Sequence, residues 1–134
     1  MMTISSKEWY RIREGVQMRF VNFKDGHPAL ISIIEAKYHK GNEVPNHFHK
    51  NEDEVFYVLE GVVNFRLEHK EFIKSQGESI FLEKNKSHGF SLISDTAKLL
   101  ILYIPGGLES FFIDNILNRD DAKSLEDYGV IFTS

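Results

Sequence analysis

The chain has 134 residues, 42% hydrophobic and 27% charged, with a net charge of −4, which is enough for one domain with a real core and ordinary for a soluble globular protein. Its sixteen Lys and Arg are scattered, which excludes a basic stripe for nucleic acid and a basic amphipathic helix for a membrane surface. Cysteine is absent, which excludes disulfides, thiolate ligands and cysteine nucleophiles, so any metal must be held by nitrogen and oxygen.

The first nine residues, Met1 to Trp9, contain no apolar signal core, and no run of eighteen apolar residues occurs anywhere. A soluble, cytoplasmic protein is the expectation. Residues 15–22 alternate in the manner of a half-buried strand. Gly26-His27-Pro28 is a turn signal, and 29–38 form a β-branched segment too short for a helix. A polar loop at 40–46 leads to His47-Phe48-His49.

Residues 54–60 read as a strand ending at Gly61, and 62–67 as the next, with Val63, Phe65 and Leu67 on one face. A hairpin around His69-Lys70 leads to Glu71-Phe72-Ile73, and Gly77 opens the strand 79–82. Strands at 88–93 and 97–104 complete the series. Many short strands separated by turn chemistry argue for an all-β sandwich or barrel. Eleven phenylalanines and five tyrosines supply bulky filling for it.

The pattern changes after Pro105-Gly106-Gly107. Leu108, Phe111, Phe112, Ile116 and Leu117 recur at helical spacing, which predicts a C-terminal amphipathic helix packed on the β core. Residues 119–134 hold at most another short helix near 121–127. No repeat, linker or low-complexity tract divides the chain.

Four residues carry chemistry. His47 and His49, two apart on an extended segment, share a face. Glu54 begins the next strand, and His88 joins them if the chain folds back. Three imidazoles and one carboxylate suit iron, manganese, nickel, copper or zinc rather than calcium or magnesium, which take all-oxygen shells. Glu52 and Asp53 are near enough to replace Glu54 if the register slips, but only Glu54 leads directly into the apolar strand. His27, His39 and His69 read as solvated surface or turn residues. Phe56, Phe65, Phe81 and Phe90 read as core or pocket wall, and Glu68, Lys70, Glu71 and Lys74 as a solvated hairpin.

The stretch from Gly41 through His47, His49 and Glu54 to Gly61 reads Gly, five residues, His-x-His, four residues, Glu, six residues, Gly. It resembles the first motif of the cupin family at every fixed position. Gly77 and His88 match the second motif at the right distance, and fifteen residues separate Gly61 from Gly77. Glu83-Lys84-Asn85 stands where the family has Pro-x-Gly, and Leu92 where it has Asn. Asn85 can adopt the left-handed conformation that such a turn requires.

The resemblance implies a single cupin domain over 1–134. It would be a double-stranded β-helix, or jelly-roll barrel, with its core over roughly 30–105 and a short C-terminal helix over roughly 108–118. It implies that His47, His49, Glu54 and His88 bind a divalent transition metal (Fe, Mn, Ni, Zn or Cu). It points to a metal-dependent oxidoreductase, a quercetinase-like dioxygenase acting on a small organic molecule, with Glu54 as general base. Two other readings stay open: a non-catalytic module that captures a small ligand or metal, and a metal-free epimerase or isomerase of sugar nucleotides. Both faces of 55–59 are apolar, so this strand needs cover on its outer side. The resemblance implies a homodimer, with twofold symmetry the commonest arrangement.

Overall fold

The computed structural model describes residues 3–24 and 30–133. The turn signal at Gly26-His27-Pro28 lies outside the described residues. Eleven strands are present among those described: β1 Tyr10–Arg13, β2 Val16–Phe20, β3 Ser32–His39, β4 His47–His49, β5 Asp53–Glu60, β6 Val62–Leu67, β7 Lys70–Ser75, β8 Ser79–Leu82, β9 His88–Leu92, β10 Thr96–Ile104 and β11 Val130–Phe132. One α-helix, α1, spans Glu109–Ile116, and a single 3₁₀ turn covers Glu126–Tyr128.

The strands form two antiparallel sheets. One has the order β1-β2-β3-β10-β5-β8, the other β11-β4-β9-β6-β7. Burial alternates along β3, β5, β6 and β10, because successive side chains leave opposite faces of a strand. The inward set of both sheets meets in one core. Phe56 of the first sheet lies 5.2 Å from Phe65 and 5.4 Å from Phe90 of the second, ring centre to ring centre. Each fully buried side chain of this kind contributes about 1.5–3 kcal/mol. Among the described residues the two ladders stay separate, so the arrangement is two facing antiparallel sheets rather than one closed ring of hydrogen bonds.

Several expectations change. Phe81 is not core or pocket wall: it is 54% exposed. It stands opposite Val55 on the β5 ladder, a register that puts both on the outer face. The short helix expected near 121–127 is a 3₁₀ turn at Glu126–Tyr128, and the chain then forms an unexpected strand, β11. β11 pairs with the histidine strand, Val130 opposite His49 and Phe132 opposite His47. β1 was also unanticipated. His39 and His69 are exposed as expected.

Two turns fix the sheets. Gly61 has φ +96°, and a Cβ there would meet the Thr96 carbonyl oxygen at 2.7 Å; only glycine meets both conditions. Asn85 takes φ +68°, as the turn without glycine requires. Its N–H donates to the His49 carbonyl (2.7 Å), and the Lys84 N–H donates to Asp53 (2.8 Å). The altered turn is therefore tied directly to the strands that carry the site. Helix α1 is anchored by Glu109, buried against the Ser32 hydroxyl, which donates to it, and the Gly107 N–H.

Candidate metal centre

His47 and His49 leave β4 on one face. His88 opens β9 directly opposite His47 in the ladder. Glu54 comes from the facing sheet, on β5. One ligand-type atom from each of the four residues lies within 4.8 Å of every other, and all four side chains are buried. The imidazole rings are 4.5–5.2 Å apart, centre to centre. Glu54 belongs to this cluster, and Glu52 and Asp53 do not.

The orientation of the rings is set from behind. His47 Nδ1 donates to the Pro45 carbonyl (2.7 Å), His49 Nδ1 to the Glu52 carboxylate (2.7 Å) and His88 Nδ1 to the Lys86 carbonyl (3.3 Å). With each Nδ1 so engaged, Nε2 faces the shared centre, the usual support of a metal-ligating histidine. His49 Nε2, His88 Nε2 and Glu54 Oε1 are buried without a hydrogen-bond partner. Glu54 Oε1 lies 3.3 Å from His49 Nε2 and 3.0 Å from His88 Nε2. Two ligand atoms each about 2.1 Å from one ion, at about a right angle, sit about 3 Å apart. Orphaned polar atoms are rare in folded proteins because each costs about 1–3 kcal/mol. Three converging on one point fit a cation, and the N₃O donor set fits a transition metal.

Electrostatics agree. Burial alone would raise Glu54, but the imidazoles of His49 and His88 outweigh it and hold the carboxyl far below the usual range. Burial alone would lower His49, but Glu52 and Glu54 outweigh it and raise the imidazole to about 9. His47 is lowered to about 4, first by burial and then by the charge of His88. The His49 imidazole is thus held between two carboxylates, Glu52 and Glu54.

Sequence reasoning missed the residues around these four. Glu52, set aside as a ligand, instead orients His49 three residues earlier in the β4–β5 turn. Tyr103 stands opposite Glu54 in the β10–β5 ladder. Burial first, then the Glu54 charge, pushes its hydroxyl well above the ordinary value, and Tyr38 is raised for the same two reasons. Both phenols stay neutral. The inward parity Ala97, Leu99, Ile101, Tyr103 along β10 could have revealed Tyr103.

His47, His49 and Glu54 line a cavity of about 490 Å³. Phe56, Phe90 and Ile101 form apolar walls near the histidines. Residues of β1, the 43–45 loop and α1 also border the cavity.

A family model described as "Cupin domain" matches residues 34–105. Among curated proteins, the chain is 26% identical over 110 residues to a quercetin 2,3-dioxygenase of Bacillus subtilis (strain 168). That match covers 81% of this chain and 33% of the relative, so the chain spans about a third of that protein's length. Solved structures with the same fold include KdgF from a Halomonas species, with TM-score 0.67 and 20% identity over 76% of this chain and 91% of that one. An RmlC-like cupin from Shewanella frigidimarina NCIMB 400 follows, with TM-score 0.65 and 22% identity over 76% and 86%. At these identities the structures speak for the fold alone.

Proposed function

The chain belongs to the cupin domain family, and from that premise we propose a metal-dependent enzyme of dioxygenase-like class that acts on a small organic molecule. The two facing sheets are then the family's jelly-roll barrel. The observation that carries the reading is the convergence of buried, unpartnered Nε2 and carboxylate atoms on one point, each ring braced through Nδ1.

His47, His49, Glu54 and His88 would hold a divalent transition ion, which supplies Lewis acidity and, where redox-active, one-electron chemistry. The protein's own residues do the rest. Glu54 is ionised throughout the physiological range and is placed to accept a proton from bound substrate. The Tyr103 hydroxyl beside it stays protonated and can donate to the same carboxylate or to a substrate oxygen. Phe56, Phe90 and Ile101 exclude water, which strengthens every charge interaction inside. The relative's activity on quercetin supports the dioxygenase class, and the cavity volume lies in the range that takes a small organic molecule. The converging ligand atoms weigh against the metal-free epimerase reading.

A second copy of the chain belongs to this proposal. Tyr57 (38% exposed), Phe81 (54%) and Ile104 (37%) cluster on the outer face of β5, β8 and β10. Beside them β8 ends its sheet with an open edge. A twofold copy covering this face would satisfy both.

The test is element-resolved metal content together with turnover. Wild type should carry stoichiometric metal, and His49→Ala should lose most of it while staying folded by circular dichroism. Undiminished metal in that variant would overturn the ligand assignment. Full metal without turnover on enolic, phenolic and diketone substrates would leave the non-catalytic capture module instead.

A further inference from the structure

Strand β1 carries a local irregularity whose effect falls on the cavity. Tyr10 pairs with Met18 and Arg11 with Gln17, but Arg13 pairs with Val16, so Ile12 is one residue extra. Met18 and Val16 are buried and Gln17 is exposed. In an unbroken strand Arg11 and Arg13 would share the outward face with Gln17. The bulge sets Arg13 opposite inward-facing Val16, while Arg11 and Arg13 both stay exposed. Bulges recur beside functional sites.

Arg11 and Arg13 both border the cavity, and among the described residues they are its only Lys or Arg side chains. Neither makes a salt bridge or side-chain hydrogen bond among the described residues. The Arg13 charge reaches the Tyr38 hydroxyl, which it acts to lower against burial and Glu54. The carboxylates that line the same cavity are committed elsewhere. Glu54 faces the histidines, and Glu43 accepts the Gly41 and Leu92 N–H groups (2.5 and 2.7 Å). In a chain of net charge −4, the arginine charge bordering this cavity is uncommitted and positive.

We propose that Arg13, with Arg11 beside it, is the anion-binding end of the cavity, and that its occupant is a small organic acid whose carboxylate sits on Arg13 while its apolar body extends toward the histidine cluster. A guanidinium fork matches a carboxylate bidentately and loses little order on binding it. The apolar walls beyond exclude a fully polar occupant. The inference rests on reading the cavity as a small-molecule site. It assigns the substrate class within that reading.

The experiment uses benzoate and hexanoate as probes, with benzamide and hexanamide as neutral counterparts. Binding to zinc-loaded protein is followed by calorimetry, and zinc content is measured in each preparation. We expect each acid to bind wild type at least about tenfold tighter than its amide, with the preference falling as salt rises. Arg13→Gln should abolish the preference while leaving amide binding and zinc content unchanged, and Arg13→Lys should restore part of it. Acids that bind no tighter than their amides, or an Arg13→Gln protein that keeps the preference, would overturn the assignment. A wild type that takes up no zinc but still selects acid over amide through Arg13 would support this inference while overturning the metal reading.

Discussion

Glu52 shows how much a single residue next to the site decides. Its carboxylate accepts the proton of His49 Nδ1 and leaves Nε2 for the centre. It is buried, so removing its charge leaves no solvent substitute. Glu52→Gln should weaken metal affinity by about 10- to 100-fold, as loss of such support does. Competition with a chromophoric chelator measures this, and an unchanged affinity would show that His49 holds its orientation unaided. His47 and His88 brace against backbone carbonyls instead, so no side-chain substitution removes their support. Glu52 was visible in the sequence, yet counting residues gave no means to separate a ligand from the group behind one. That distinction depends on which carboxylate crosses to the facing sheet.

At the scale of elements, turns and loops place the strands. The 40–46 loop is held to β9 through Glu43, which accepts the Leu92 N–H. Partial burial by itself would raise its carboxyl, but the Leu92 and Gly41 amides hold it below the ordinary value of 4.5. A group with a lowered folded value contributes stability above its unfolded value, and that contribution fades as pH falls through the folded one. Glu43→Gln should therefore be less stable than wild type at pH 7, by about 1 kcal/mol. The gap should narrow as pH falls below 4.5. Urea midpoints of both proteins at pH 7 and pH 3 check this, and a gap of constant size would refute it. The turn at Glu83-Lys84-Asn85 kept its shape without Pro-x-Gly because Asn85 tolerates positive φ and is bonded to His49. Residue chemistry made that outcome legible. The bulge in β1 was not legible, because nothing local to Arg11-Ile12-Arg13 marks an extra residue; it exists only relative to β2.

At the scale of the whole molecule, one apolar face is left without cover among the described residues. Strand β5 is apolar on both sides, and its outer side presents Tyr57 next to Phe81 of β8. Under the proposed dimer, sedimentation equilibrium should give twice the chain mass, and Tyr57→Glu with Phe81→Glu should give the monomer with metal content intact. A monomeric wild type would remove the second copy from the proposal. Among the described residues no helix is long and apolar enough to cross a membrane.

The sequence by itself determined the strand periodicity from 32 to 104, the helix after Pro105 and the four residues that the fold gathers into one buried cluster. Alternation, turn residues and motif spacing are local properties, and each is written within a few residues. Only the tertiary structure decided that β11 closes over the histidine strand and that Phe81 faces outward. It also put Glu52 behind His49, Tyr103 against Glu54 and Arg13 at the cavity. Each of these depends on the register of one strand against another. A shift of one residue inverts every side chain along a strand, and that shift is set by contacts between residues far apart in the chain.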